Sequence, residues 1–116
     1  MKFDISRDLL LKNVQIAENA VGTKISLPIL SNILIEAEDD TVTFVGTDLD
    51  IGIMSAIPLK PSDKGAITVP AKKLADVVKS LPQSNVSVSV KKNNMVWIEC
   101  GKILFKMIGL PKEEFP

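Results

Sequence analysis

Hydrophobic positions change period several times along this chain, and each change marks an element boundary. Lys2-Phe3-Asp4-Ile5 alternates with period two, the pattern of a half-buried strand. Ser6 then stands where a helix N-cap belongs, and the helix is predicted to run to about Gly22, a residue suited to the position after a helix. Inside it Leu10, Val14, Ala17 and Val21 form one apolar stripe, while Lys12, Gln15 and Asn19 project elsewhere. Three strand-like runs follow, at about Ile29–Ala37, Val42–Thr47 and Ile51–Leu59, broken by Asp39-Asp40 and Thr47-Asp48. Pro58 to Gly65 reads as a connector.

The order then repeats. Ala66–Val69 is a short strand, Pro70 suits the first turn of a helix, and that helix is predicted to reach Leu81 and stop before Pro82. Leu74, Val77, Val78 and Leu81 make its core stripe; Lys72, Asp76 and Lys79 line another face with Lys73 beside them. Val86–Val90, Met95–Glu99 and Ile103–Ile108 complete the run, with turns expected at Asn93-Asn94 and Cys100-Gly101-Lys102. The chain therefore reads as βαβββ twice, about 1–59 and 66–108, a repeat of pattern rather than of residues. This predicts an α+β fold of one sheet or two joined sheets, with two helices packed on one face of the sheets.

With 116 residues there is room for one domain. The absence of His and Tyr excludes His triads, His-ligated metals and Tyr acid–base chemistry, and a single cysteine excludes an internal disulfide or a Cys-rich zinc site. A reduced, cytoplasmic setting fits best, and no apolar run is long enough for a membrane span. Fourteen basic and fourteen acidic residues cancel, but they are segregated. Residues 25–59 carry Glu36, Glu38, Asp39, Asp40, Asp48 and Asp50 with no base, whereas residues 60–92 carry seven lysines against Asp63 and Asp76.

Few features promise chemistry. Asp48-Leu49-Asp50 could hold Mg²⁺ for phosphoryl transfer, yet it falls at a strand–strand turn, where aspartates cap backbone amides, and no phosphate-binding glycine loop accompanies it. Cys100 lacks a base to activate it. Trp97 and the four phenylalanines could stack on bases, but none lies in a basic cluster of the sequence, so core packing is the expectation for them. Ile103-Leu104-Phe105-Lys106-Met107-Ile108 is apolar on both faces save Lys106, which makes it either a central strand or an edge covered by another chain. If both helices share a sheet face, Lys12, Lys72, Lys73 and Lys79, with Lys24 just past the first helix, form a surface that would meet phosphates weakly and without reading sequence.

Four motifs in register carry a resemblance. Leu27-Pro28-Ile29-Leu30-Ser31-Asn32, Gly46-Thr47-Asp48-Leu49-Asp50, Val69-Pro70-Ala71-Lys72-Lys73 and Leu110-Pro111-Lys112-Glu113-Glu114-Phe115-Pro116 resemble the first domain of the bacterial sliding clamp family, the beta subunit of DNA polymerase III. The Met1-Lys2-Phe3 start agrees, and the resemblance spans residues 1–116. It implies a DNA-clamp fold and a non-enzymatic, cofactor-free tether. In that family, three-domain chains form a head-to-tail homodimer, a ring around double-stranded DNA that slides and gives the polymerase its processivity.

By the same resemblance, Lys24 and Lys72 match basic DNA-facing positions, Lys79 falls where the second helix often carries a base, and Lys12 is a looser match. Lys73 and the strand bearing Ile103, Phe105 and Met107 resemble the edge that meets the second subunit. Leu104 departs from the pattern, since a charged residue often stands there, so an ion pair at that spot is in doubt. The acidic segment 25–59 would lie on the outer sheets, away from DNA. Because the family chain is much longer, residues 1–116 would be an excised first domain or a truncated form of the chain, and the cleft that receives polymerase and clamp loader would lie in domains missing from it. The alternative from another class is a stand-alone α+β interaction module that recruits a protein through its apolar strand without DNA.

Overall fold

The change of period at Ser6 is a real boundary. In the computed structural model, which describes residues 1–21 and 28–116, β1 (Lys2–Ser6) gives way there to α1 (Arg7–Glu18). The Ser6 hydroxyl accepts the Leu9 amide at 3.2 Å, satisfying one of the donors that a helix start leaves free. α1 ends earlier than the sequence predicts. The Ala20 and Val21 amides reach back three residues, to the carbonyls of Ala17 and Glu18, so the last turn tightens and the helix closes before Gly22, which lies outside the described residues.

The strand expected from Ile29 begins only at Asn32. Pro28–Ser31 is a 3₁₀ turn, in which Pro28 has no amide to give a ladder and the Ser31 hydroxyl donates to the Pro28 carbonyl at 2.7 Å. β2 (Asn32–Ala37), β3 (Thr41–Thr47) and β4 (Gly52–Pro58) follow, then β5 (Gly65–Pro70), α2 (Ala71–Lys79), β6 (Asn85–Val90), β7 (Met95–Cys100) and β8 (Ile103–Ile108). Pro70 closes β5 and occupies the N-cap of α2 rather than its first turn. α2 ends at Lys79, with Ser80 and Leu81 folded back onto Val77 and Val78. Asn93 and Asn94, with φ of 61° and 60°, take the left-handed conformation that a tight hairpin turn requires.

The strands form two antiparallel sheets, β1-β6-β7-β8 and β4-β3-β2-β5. This resolves the choice between one sheet and two, and adds what the pattern did not contain: each half gives its first strand to the other half's sheet. β1 pairs with β6 (Phe3 opposite Val88), and β5 pairs with β2 (Ile67 opposite Ile35). The outer edges of those lent strands are closed by short bridges, Lys2 to Asp63 and Thr68 to Leu110. Among the described residues, β4 and β8 are the edges left without a partner strand.

Inward faces of both sheets meet the helix stripes in one core, which contains Phe3, Phe44, Ile33, Ile35, Ile67, Ile98, Leu10, Val14, Leu74 and Val78. α1 and α2 pack against each other. Arg7 ties them further: its guanidinium donates to the carbonyls of Val78 (3.2 Å) and Lys79 (2.9 Å), capping the C-terminal end of α2 from the first residue of α1. Gly46 on β3 is a close approach. A Cβ built there would lie 2.0 Å from the Ala17 carbonyl oxygen, so the end of α1 rests directly on the strand.

Candidate functional site

Of the four lysines that the resemblance marks as DNA-facing, three can be placed. Lys12 is exposed on α1, beside Asp8, Gln15 and Asn19 along a shallow groove. Lys72 and Lys79 are exposed on α2 one stripe away from the buried Ala71, Leu74, Ala75 and Val78, which hold that helix on the core. Lys24 lies outside the described residues. Lys72 is 3.4 Å from Asp76 one turn on, an exposed pair in which the lysine can exchange a carboxylate for a phosphate at small cost. Among the described residues Lys12 and Lys79 have no ion pair. Arg7, by contrast, is spent on the α2 C-terminus and on Asp8, and is no free cation.

Lys73 points another way. It lines a cleft of about 410 Å³ with Pro70, Asp76, Val77, Lys106, Met107 and Ile108, between α2 and the open edge of β8. The register of β7 against β8 assigns the faces of that edge. Val96, Ile98 and Cys100 sit opposite Met107, Phe105 and Ile103 on the core side; Met95, Trp97 and Glu99 sit opposite Ile108, Lys106 and Leu104 on the outside. Phe105 and Met107 are half-buried against the core, while Ile103 is 41% exposed and Ile108 60%. β8 is thus an edge strand, not a central one; Lys73 shares the cleft with Met107, while Phe105 and Ile103 lie farther along the same strand.

Sequence reasoning missed the second open edge. β4 carries no charge from Gly52 to Pro58, Met54 is 70% exposed, and Leu49 and Ile51 beside it are 60% and 61% exposed. An uncharged run between turn residues was the available signal.

The Gly46–Asp50 motif proves to be a turn built from its own side chains. The Asp48 carboxylate accepts the amides of Ile51 (2.7 Å) and Asp50 (2.9 Å), and Thr47 Oγ1 accepts the Leu49 amide while donating to the Ile51 carbonyl. Those amide bonds, Ile51's foremost, hold the Asp48 carboxyl below its ordinary range. Leu49 sits at φ 79° so that the hairpin can close. Among the described residues no cluster of His, Cys, Asp or Glu is arranged to hold a metal ion. Cys100 is buried, its thiol 3.9 Å from the Pro82 carbonyl. Phe3 and Phe44 are core residues as expected. Trp97 is not: it is half-buried on the outer face of its sheet, with Lys106 Nζ 4.6 Å and Lys91 Nζ 5.1 Å from its ring centroid. Its basic neighbours come from β8 and from the turn after β6 and meet only across the folded sheet, which is why a scan along the chain did not find them. No helix among the described residues is long and apolar enough to cross a membrane.

Comparison with known proteins agrees with this geometry. The family of the DNA polymerase III beta subunit, N-terminal domain, matches residues 1–116. The beta sliding clamp of Bacillus subtilis is 38% identical over 124 residues, covering all of this chain and 33% of the relative; that of Escherichia coli is 35% identical over 118 residues, covering all of this chain and 32% of the relative. The chain spans about a third of the length of these curated relatives. Among solved structures, the DNA polymerase sliding clamp of Bacillus subtilis superimposes with a TM-score of 0.95 at 36% identity, over all of this chain and 33% of that one. The beta subunit from Streptococcus pyogenes DNA polymerase does so with a TM-score of 0.95 at 30% identity, over all of this chain and 32% of that one. The two helices and two antiparallel sheets of the described residues and these matches together place the chain in the DNA polymerase III beta subunit, or beta sliding clamp, family of non-catalytic processivity factors, as its N-terminal domain.

Proposed function

We propose that these 116 residues work as the first domain of a three-domain clamp, a cytoplasmic ring that encircles duplex DNA, slides along it and tethers the replicative polymerase. The observation that carries this reading is the division of labour on the surface: exposed lysines on the two helices, and an open apolar strand on a different side. Lys12, Lys72 and Lys79, with Lys24 after α1, would meet phosphates as point charges, enough to hold a duplex loosely and too few to fix it at one sequence. Lys73, Ile103, Phe105 and Met107 would form the joint with a second subunit, which adds a strand to β8. The open β4 edge would continue the other sheet. Polymerase and clamp loader would bind parts of the longer protein beyond these residues.

The test uses the longer protein loaded onto nicked circular DNA by a clamp loader with ATP, after which the DNA is linearised. Retention on circles with loss from free ends is the expected result, because the tether is topological. Equal retention on both forms would overturn the ring reading in favour of surface binding. Failure to be retained on either would favour a protein-interaction module acting through β8.

A further inference from the structure

Apart from the helical face, the molecule has a second surface with the chemistry of nucleic-acid contact, and it lies on the opposite side of a sheet. Lys2, Ser89, Trp97 and Lys106 are successive cross-strand partners on β1, β6, β7 and β8, so they form one row on the outer face of that sheet. Lys91, just past the end of β6, stands two residues from Ser89 and reaches the same indole. We propose that this row is a contact site for single-stranded nucleic acid, with one base stacked on Trp97 and the flanking phosphates met by Lys2, Lys91 and Lys106.

The register decides that Trp97 faces outward. It shares parity with Glu99 and Met95, whereas Val96, Ile98 and Cys100 supply the core contacts of β7. A half-buried indole therefore lies on the outer face of the sheet, with one ammonium arriving from β8 and one from the turn after β6. None of Lys2, Lys91 and Lys106 has an ion pair among the described residues, and the ring quadrupole holds the Lys91 and Lys106 ammoniums only weakly. A phosphate outcompetes a ring face for an ammonium, so its arrival draws a lysine aside and uncovers the indole for a base. Stacking on an aromatic between basic groups is how single strands are held without regard to sequence. A duplex offers no free base face to Trp97.

The acidic groups on this face, Asp4 and Glu99, occupy the adjacent row, two residues along β1 and β7 toward the end where β1 finishes. The lysines gather at the end where β1 begins and β6 finishes, with Lys92 next to Lys91. Asp63, whose backbone bridges Lys2, flanks that end of the ladder. A strand of nucleic acid would thus run across the sheet along the Lys2–Lys106 row. An acidic peptide could use the same charges but has no base to stack on the uncovered ring.

Trp97 is the only tryptophan and the chain has no tyrosine, so its emission reports this site alone. The 116-residue chain is titrated at low salt with oligothymidylate of about sixteen nucleotides, the upper end of the usual site size for such surfaces. Saturable quenching that weakens as salt rises is expected. It should persist in a Lys12→Glu, Lys79→Glu variant of the helical face. Changing Lys91 and Lys106 to Glu, both exposed, should weaken the binding by roughly ten-fold or more, and Trp97→Leu, read by anisotropy of a labelled oligonucleotide, should do the same. Unchanged emission would overturn the proposal. So would quenching abolished by the helical-face variant, equal quenching by duplex, or equal quenching by a polyglutamate peptide.

Discussion

Replacing Gly46 by Ala tests whether the motif Gly46–Asp50 serves packing rather than chemistry. The added methyl would sit 2.0 Å from the Ala17 carbonyl oxygen and 2.9 Å from its carbon, where real Cβ contacts essentially never fall below 3.0 Å. The end of α1 and strand β3 must therefore separate by about 1 Å, and both sides of the clash are backbone that no rotamer change can move aside. Overpacking of a tight interior costs about 1–3 kcal/mol where side chains can adjust; here the upper figure, about 3 kcal/mol, is the floor. Ordinary propensity works the other way, since Ala is favoured over Gly inside an element by about 0.5–1 kcal/mol, so any loss measures the clash. Gly52→Ala is the matched control, because its nearest neighbours would be 3.9 and 4.0 Å away, an ordinary contact. In urea, with a slope of about 1–3 kcal/mol per molar for a domain of this size, Gly46→Ala should lower the midpoint by about 1 M or more, and Gly52→Ala should leave it in place or raise it slightly. A Gly46→Ala protein as stable as the parent would refute the close approach and, with it, the packing account of the motif.

Arg7→Ala should lower stability by about 1–2 kcal/mol in the same assay, since two α2 carbonyls lose a charged donor; Arg7→Lys should recover only part, because an ammonium cannot span both. Asp48 is held in its ionised form by backbone amides, so its contribution to stability is present above the ordinary carboxylate value and is lost as pH falls through the lowered one. Stability curves of Asp48→Ala and its parent should accordingly lie apart near neutrality and converge in acid; curves that stay parallel down to the lowest pH would contradict this. In the longer protein, Ile103→Lys should weaken subunit association by about ten-fold or more in sedimentation while changing domain stability by no more than about 0.5 kcal/mol, because Ile103 is already 41% exposed. Equal association would remove β8 from the joint.

Most element positions were legible because burial imposes a period. Leu10, Val14 and Ala17 on α1, and Leu74 and Val78 on α2, were found by spacing and are buried. Local chemistry was legible too: Ser6 caps, Asp48 closes a turn, and Asn93-Asn94 reverses the chain. Helix ends were placed too late at both helices, since a stripe extends through a tightened last turn that is no longer α-helical. Strand pairing was not legible at all. Alternation says that Phe3 and Ile5 face a core, and nothing about their lying opposite Val88 and Val86. The misreading of Trp97 has the same origin: its lysines are neighbours across the sheet, and only the parity it shares with Glu99 could have shown it facing outward.

The reciprocal loan of β1 and β5 gives the molecule the character of a clasp. β1 is made first yet has no place to go until β6 exists, because Lys2 must find Ser89 and Ser6 must find Asn85. A nascent chain that has emerged only through β4 therefore holds β2-β3-β4 with one side waiting for β5, and an orphan strand at its start. Such long-range closure slows folding and makes it a single late event rather than a growth by halves. It also means that a nick in the loop between β4 and β5 would not release two pieces: each sheet would still contain a strand of the other fragment, and the halves would come apart only by unravelling both sheets.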